Sequence, residues 1–131
     1  MIFLDSNVPM YLVGAEHPHR SEAERLLRRF IKAREKLVTD AEVFQEILHR
    51  YTAIRRPDAI EPAWEALAGI VDEIFSIHLA HVERAKLLLG DLPRLSARDA
   101  LHVAVMQEGG IDRLLSFDGG FDVVPGITRI Y

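Results

Sequence analysis

The apolar positions of this chain change period along its length. Met1–Leu4 is a short apolar run followed at once by Asp5-Ser6-Asn7. It is too short for a helix and reads as a buried strand ending in a polar turn. Val8–Val13 is a short helix ended by Gly14. From Ser21 the period is helical. Ala23, Leu26, Leu27, Phe30 and Ile31 share a face opposite Arg25, Arg28, Arg29 and Lys32, and Ser21 with Glu24 spells a capping box. Leu37-Val38-Thr39 is a second, very short strand. Thr39 or Asp40 then caps a helix running to about Ile54, with Val43, Phe44, Ile47, Leu48 and Tyr51 as its apolar face, and Pro57 stops it.

Asp58–Val71 carries Ile60, Trp64, Leu67 and Val71 and predicts a further helix. Ile74–His78 is a third strand. Leu79–Leu89 is helical and ends at Gly90, and Leu92–Leu95 is a loop around Pro93. Ser96 opens the next helix, with Asp99 three residues on as the acidic half of a capping box, and Gly109-Gly110 closes it. Arg113–Phe117 and Ile127–Ile130 are the remaining strands, the second after a Pro125-Gly126 turn. Short apolar strands alternating with helices predict an α/β fold whose parallel sheet is covered on both faces. In such sheets ligands bind beyond the carboxyl ends of the strands, where strand order reverses.

That edge is where the acids fall. Asp5 follows the first strand, Asp118 follows the fourth, Asp99 sits in the first turn of a helix and Glu46 one turn into another. Strand ends and helix starts share one edge of a right-handed α/β fold, so these carboxylates can converge. Clustered carboxylates repel, and a hard divalent cation relieves the repulsion. With oxygen donors and no cysteine, the ion indicated is Mg²⁺ or Mn²⁺. Such a site lowers the pKa of a bound water, orients it for in-line attack on a phosphodiester and stabilises the leaving oxygen. Taken singly, each residue has a plainer reading: Asp5 as an Asx-turn residue, Asp99 as a capping acid, Asp118 as a turn before Gly119-Gly120, Glu46 as a solvated face. Only their joint placement favours chemistry.

Four segments carry a resemblance. They are Leu4-Asp5-Ser6-Asn7, Val38-Thr39 with Val43-Phe44-Gln45-Glu46-Ile47, Ser96-Ala97-Arg98-Asp99-Ala100-Leu101-His102 and Leu115-Ser116-Phe117-Asp118-Gly119-Gly120-Phe121-Asp122. In order and separation they resemble the PIN domains of VapC-type toxins from bacterial and archaeal toxin–antitoxin pairs. The likeness covers essentially the whole chain, and S-x-R-D-A-x-H and S-F-D-x-x-F-D are its most specific parts. It implies a PIN-like three-layer fold with a five-stranded parallel sheet in order 3-2-1-4-5, which sets Asp5 beside Asp118. It implies a Mg²⁺- or Mn²⁺-dependent endoribonuclease whose acidic residues are Asp5, Glu46, Asp99 and Asp118, supported from nearby by Asp122. The family pattern V-x-Q-E favours Glu46; Glu42, one turn earlier on the same helix face, is its substitute. Ser6, Asn7 and Ser116 resemble small polar neighbours that orient the carboxylates, though Asn7 equally suits a structural turn. The resemblance further implies a homodimer, silenced by a cognate VapB-type antitoxin that pushes a C-terminal segment into the acidic pocket. The helices at Val8–Val13 and Asp40–Ile54 would wall that groove.

Composition adjusts this picture in places. A length of 131 residues with a hydrophobic fraction of 49% suits one domain spanning 1–131. No leader-like segment and no apolar stretch of membrane-spanning length is evident, which predicts a cytoplasmic protein without membrane attachment. The net charge of −4 argues against RNA binding by bulk charge. The cations are uneven, however: only Lys32, Lys36 and Lys86 of the 16 basic residues are lysine, and Arg20, Arg25, Arg28, Arg29, Lys32 and Arg34 crowd one segment. That segment reads either as an RNA-backbone track or as the solvated face of an amphipathic helix. His17 and His19 lack the further ligands a zinc site needs. His102, one turn after Asp99, reads as a hydrogen-bond partner of Asp99 or a residue of the site rim, and Trp64 as a core or interface anchor. A D-x-D phosphatase is disfavoured because Asn7 stands where its second acid belongs, and a receiver domain because no lysine follows Lys86. The remaining alternative is a PIN-like module that binds RNA or protein without cutting. Four anions facing phosphate speak against it.

Overall fold

A computed structural model describes all residues from Met1 to Tyr131. Five strands, β1 (Ile2–Leu4), β2 (Leu37–Asp40), β3 (Glu73–Phe75), β4 (Arg113–Leu115) and β5 (Thr128–Ile130), form one sheet in the order β3-β2-β1-β4-β5. Every pairing is parallel: Ile2 is opposite Leu37, and Leu4 is opposite Leu115. The expected fold class and strand order are both present. β1 and β2 are buried at every position, which is why they read as apolar runs rather than alternations.

Six helices flank the sheet: α1 (Asn7–Val13), α2 (Pro18–Lys32), α3 (Ala41–Ala53), α4 (Ile60–Ala68), α5 (Leu79–Asp91) and α6 (Ala97–Glu108). α1 packs on α2 and α4, α3 on α4, and α5 on α6. A cluster of 27 buried apolar residues joins these elements, from Ile2, Phe3 and Leu4 to Leu26, Ile47, Leu67, Met106 and Leu115. None of the helices is long and apolar enough to cross a membrane.

Several boundaries differ from expectation, each for a local reason. α2 starts at Pro18, not Ser21: the His17 side chain caps it by accepting from the His19 N–H at 3.0 Å. Proline at the first helical position needs no partner for a missing N–H, so Ser21 lies inside the helix and forms no capping box. Ile31, expected in the core, is 55% exposed at the end of that helix. Asp58–Val71 divides into a 3₁₀ turn at Pro57–Ala59 and the shorter α4. α5 runs through Gly90 to Asp91. β3 and β4 stop at Phe75 and Leu115 because their partners end there. A 3₁₀ turn, Gly119–Val123, had no periodic signal to announce it.

What matters for function is the carboxyl edge. β1 sits at the reversal of strand order, between β2 and β4. Thr39 at the end of β2 donates its hydroxyl to the Leu4 carbonyl at 2.9 Å, and the Asp5 N–H donates to the Leu115 carbonyl at 3.1 Å. These bonds fix where β1 releases the chain into Asp5.

Candidate active site

Asp5 leaves β1 with its side chain almost fully buried and both oxygens engaged. Oδ1 accepts the Ser6 N–H at 2.8 Å, and Oδ2 accepts the Ser116 hydroxyl at 2.7 Å. Ser116 is a junction: its oxygen also accepts the Asp118 N–H at 3.0 Å and the Asn7 amide at 3.2 Å. One buried hydroxyl thus ties the end of β1 to the loop after β4. Asp118 is extended by that loop and caps the following 3₁₀ turn, its Oδ1 accepting the Gly120 N–H at 2.8 Å. A side chain on Gly120 would stand 3.1 Å from Asp118 Oδ1, tight enough to push that carboxylate by a few tenths of an ångström, and 3.6 Å from Asp99 Oδ2, an ordinary contact. Asp99 comes from the first turn of α6, which Ser96 caps by accepting the Asp99 N–H at 3.1 Å.

Glu46 arrives from α3, whose cap Asp40 accepts the Val43 N–H at 3.0 Å. Asp40 has a second task. Its Oδ2 lies 2.8 Å from His102 Nδ1, and His102 Nε2 lies 3.1 Å from Glu46 Oε1. The ring is wholly buried, with a carboxylate on each side. Burial opposes its charge, but the bonds to Asp40 and Glu46 raise it well above the ordinary histidine range. Protonated, it donates from both nitrogens. Burial likewise pushes the Glu46 carboxyl up, and the His102 ring outweighs it, holding the group below the usual glutamate value. The other oxygen, Glu46 Oε2, is buried without a well-formed hydrogen bond, although the nearby Ser6 hydroxyl also favours the charged carboxylate.

Asp5, Glu46, Asp99 and Asp118 line one open cavity of about 420 Å³, together with Ser6 and Asn7. Ser116 lies beneath it, bonded to Asp5. Two of the supporting residues lie elsewhere. Glu42 lines a neighbouring depression with Leu101 and Val82. Asp122 is exposed and turned to Arg129, whose Nε and Nη2 donate to its two oxygens at 2.8 and 3.0 Å.

A PIN-domain family model matches residues 2–127. The chain is 57% identical to ribonuclease VapC13 of Mycobacterium tuberculosis over 99% of both chains. This chain belongs to the PIN-domain family, in its VapC group. Among solved structures, the PIN domain resembles a crystal structure of M. tuberculosis VapC20, described as a sarcin-ricin loop cleaving toxin, with a TM-score of 0.78 at 24% identity over 97% of each chain. It also resembles VapBC2 of Rickettsia felis bound to a promoter DNA fragment, with a TM-score of 0.76 at 13% identity, covering 99% of this chain and 98% of that one. At such identities the likeness shows the shared fold.

The electrostatics of the PIN domain's cavity are uneven. Burial, then Asp5 and Asp118, push the Asp99 carboxyl up to about 7. Burial raises Asp5 as well. These groups resist joint ionisation, and a cation in their midst would release them. The orphaned oxygen of Glu46 and an all-oxygen donor set without thiolate fit a hard divalent ion. Asp5, Glu46 and His102 are the one set of three whose ligand atoms lie within 4.8 Å of one another, and Asp99 and Asp118 line the cavity outside that set. Both nitrogens of His102 are already committed to carboxylates, so the ring acts as a strut for Glu46 rather than a ligand. Sequence reasoning placed His102 near Asp99 and read Asp40 only as a cap. Their pairing spans 62 residues, and no local spacing encodes it. His17 and His19 stack with Tyr11 and Phe117 instead of facing acidic ligands. Trp64 packs on Phe44 with ring centroids 4.6 Å apart.

Proposed function

We propose that this chain is a metal-dependent endoribonuclease that hydrolyses RNA phosphodiester bonds as the toxin of a toxin–antitoxin pair. The observation that carries the reading is the single cavity lined by four carboxylates, one of which, Glu46, keeps a buried oxygen without a well-formed hydrogen bond. Its 57% identity to a protein named ribonuclease VapC13 supports the same activity. Asp5, Asp99, Asp118 and Glu46 would hold Mg²⁺ or Mn²⁺. When bound, the ion supplies Lewis acidity toward water and toward the scissile phosphate. The chain's own residues do the positioning. Ser116 and the Ser6 N–H prevent Asp5 from turning away, His102 fixes Glu46 against α3, and Gly120 leaves room for the Asp118 carboxylate. With water as nucleophile, the products carry a 5′-phosphate and a 3′-hydroxyl.

A cognate VapB-type antitoxin completes the proposal. A basic side chain from such a partner would compensate the same carboxylates that otherwise await a cation. Homodimerisation belongs to the same reading, and exposed Leu79, Val82 and Leu87 on α5 supply apolar surface for it. The test is cleavage of structured RNA in Mg²⁺, with Asp5→Asn and EDTA as controls. The expected result is cutting by the wild type only, with ends that accept ligation at a 5′-phosphate. Equal cutting by Asp5→Asn, or recovery of 2′,3′-cyclic phosphate ends, would overturn the mechanism.

A further inference from the structure

The acidic cavity contains cations of its own. Arg50 in the last turn of α3, Arg94 in the loop before α6 and Arg98 in the first turn of α6 all line it. All are exposed, and none has an ion-pair or hydrogen-bond partner from its side chain. The crowded arginines of α2 differ. None of them lines the cavity, and two are tied to acids of their own helix, Arg25 to Glu22 and Arg20 to Glu24. Free guanidinium groups beside an anionic pocket have one evident use. They offset the repulsion that clustered carboxylates exert on a polyanion, and they bind phosphate through paired N–H donors.

Arg50 also joins two spaces. Together with Asn7 and Met10 it belongs to a second cavity of about 390 Å³, which opens onto Tyr11 and His17. Those rings stack at 5.0 Å between centroids and 29° between planes, and His17 is exposed. Aromatic faces next to a phosphate-binding cation form a platform for an unpaired base, since bases in a duplex already stack on one another.

Resting on the ribonuclease reading, we infer that Arg50, Arg94 and Arg98 grip the phosphates flanking the scissile one. The cavity beyond Arg50, floored by Tyr11 and His17, takes the adjoining unpaired base. The RNA thus lies from Arg94 and Arg98 across the carboxylates to Arg50 and the two rings.

The test is fluorescence anisotropy with a labelled 12-nucleotide RNA of mixed sequence, single-stranded or annealed to its complement, in Ca²⁺ to suppress cutting. Arg50→Ala, Arg94→Ala and Arg98→Ala should each loosen single-strand binding about tenfold and lower the salt slope by about 0.7. Arg28→Ala, on α2 and outside the cavity, should leave both unchanged. Tyr11→Leu and His17→Ala should weaken the single strand at least about fivefold and leave the duplex unaffected. Wild-type binding by the three arginine variants, or equal loss with Arg28→Ala, would overturn the inference. Cutting is scored separately in Mg²⁺. Binding with this pattern but no cutting removes the ribonuclease reading and keeps the phosphate and base sites. Cutting unaffected by any of the variants does the reverse.

Discussion

On one side of the acidic cavity, Asp40 and Glu46 share the buried ring of His102. On the other, Asp99 and Asp118 stand near each other without an ion-pair partner, and Asp99 is pushed up to about 7. The first half carries its countercharge in direct contact; the second has guanidinium groups along the same cavity but no cation bonded to it. Asp5 lies between them, held by Ser116 yet raised by burial. The difference teaches how a folded domain can keep several acids together before any cation arrives. Part of the cluster is neutralised permanently, fixing its geometry. The rest stays electrostatically unsatisfied, and a cation placed there would relieve the repulsion.

The largest effect should come from breaking the satisfied half. His102→Leu removes the charge between two buried carboxylates, and leaving such groups unpaired costs about 3–5 kcal/mol. Urea unfolding of the chelated protein should show that loss, and Glu46→Gln, which keeps the shape of the side chain, should cost less. If His102→Leu is neutral in stability, the ring is not the internal countercharge and the comparison fails. Next in size is activity. Asp99→Asn should lower cleavage by roughly a hundredfold or more, beyond what loss of an orienting neighbour costs. The same variant should raise the stability of the chelated protein at pH 8 by about 1 kcal/mol, allowing for solvent screening of a half-buried group. Opposite signs from the two halves are the signature to look for. Glu42→Gln sharpens it: placed outside the cavity, it should leave cleavage near wild type while Glu46→Gln abolishes it.

Acidity provides a smaller contrast. The Asp99 carboxyl, at 3.8 when unfolded and about 7 when folded, binds its proton more tightly in the native state. Its contribution therefore falls as pH rises from about 4 to 7. His102 is raised above 6.5, so its contribution is complete below that value and is lost as pH climbs through the folded one. Both act in the same direction. Glu46, lowered from 4.5, loses its contribution only in acid. The melting temperature in EDTA should thus decline from pH 6 to pH 8, and millimolar Mg²⁺ should flatten the decline. An unchanged slope with Mg²⁺ would show that the ion does not reach these carboxylates.

The open half was far more legible in the sequence than the closed one. Asp5 ends a strand, Asp99 follows a serine cap and Asp118 precedes two glycines, all signals carried by the residues' own neighbours. The V-x-Q-E pattern picked out Glu46 by resemblance. The strut joining Asp40, His102 and Glu46 needs three elements brought together across 56 and 62 residues, which hydrophobic period does not encode. The arginines posed the reverse difficulty. Their crowding near α2 drew the eye, yet i,i+3 and i,i+4 glutamates pair with several of them, while Arg50, Arg94 and Arg98 are scattered in sequence and meet only in the fold.

The smallest expected effect tests where the cluster ends. Asp122 shares the S-F-D-x-x-F-D segment with Asp118, and resemblance alone gives it a supporting role. In the fold it is paired with Arg129 through both oxygens and is 56% exposed in its side chain. The Arg129 side chain is largely buried, and its two bonds hold Asp122 at the solvent side of the pair. Arg129 also donates to the Ser116 carbonyl at 3.2 Å, so the pair steadies the loop that carries Asp118 without touching the cavity. Asp122→Asn should therefore lower cleavage by no more than about threefold, the loss an indirect loop contact can carry. Metal affinity, read by titration calorimetry, should not move. A loss of metal binding equal to that of Asp118→Asn would show Asp122 leaving Arg129 for the ion, and the boundary between partnered and unpartnered acids would have to be drawn on its other side.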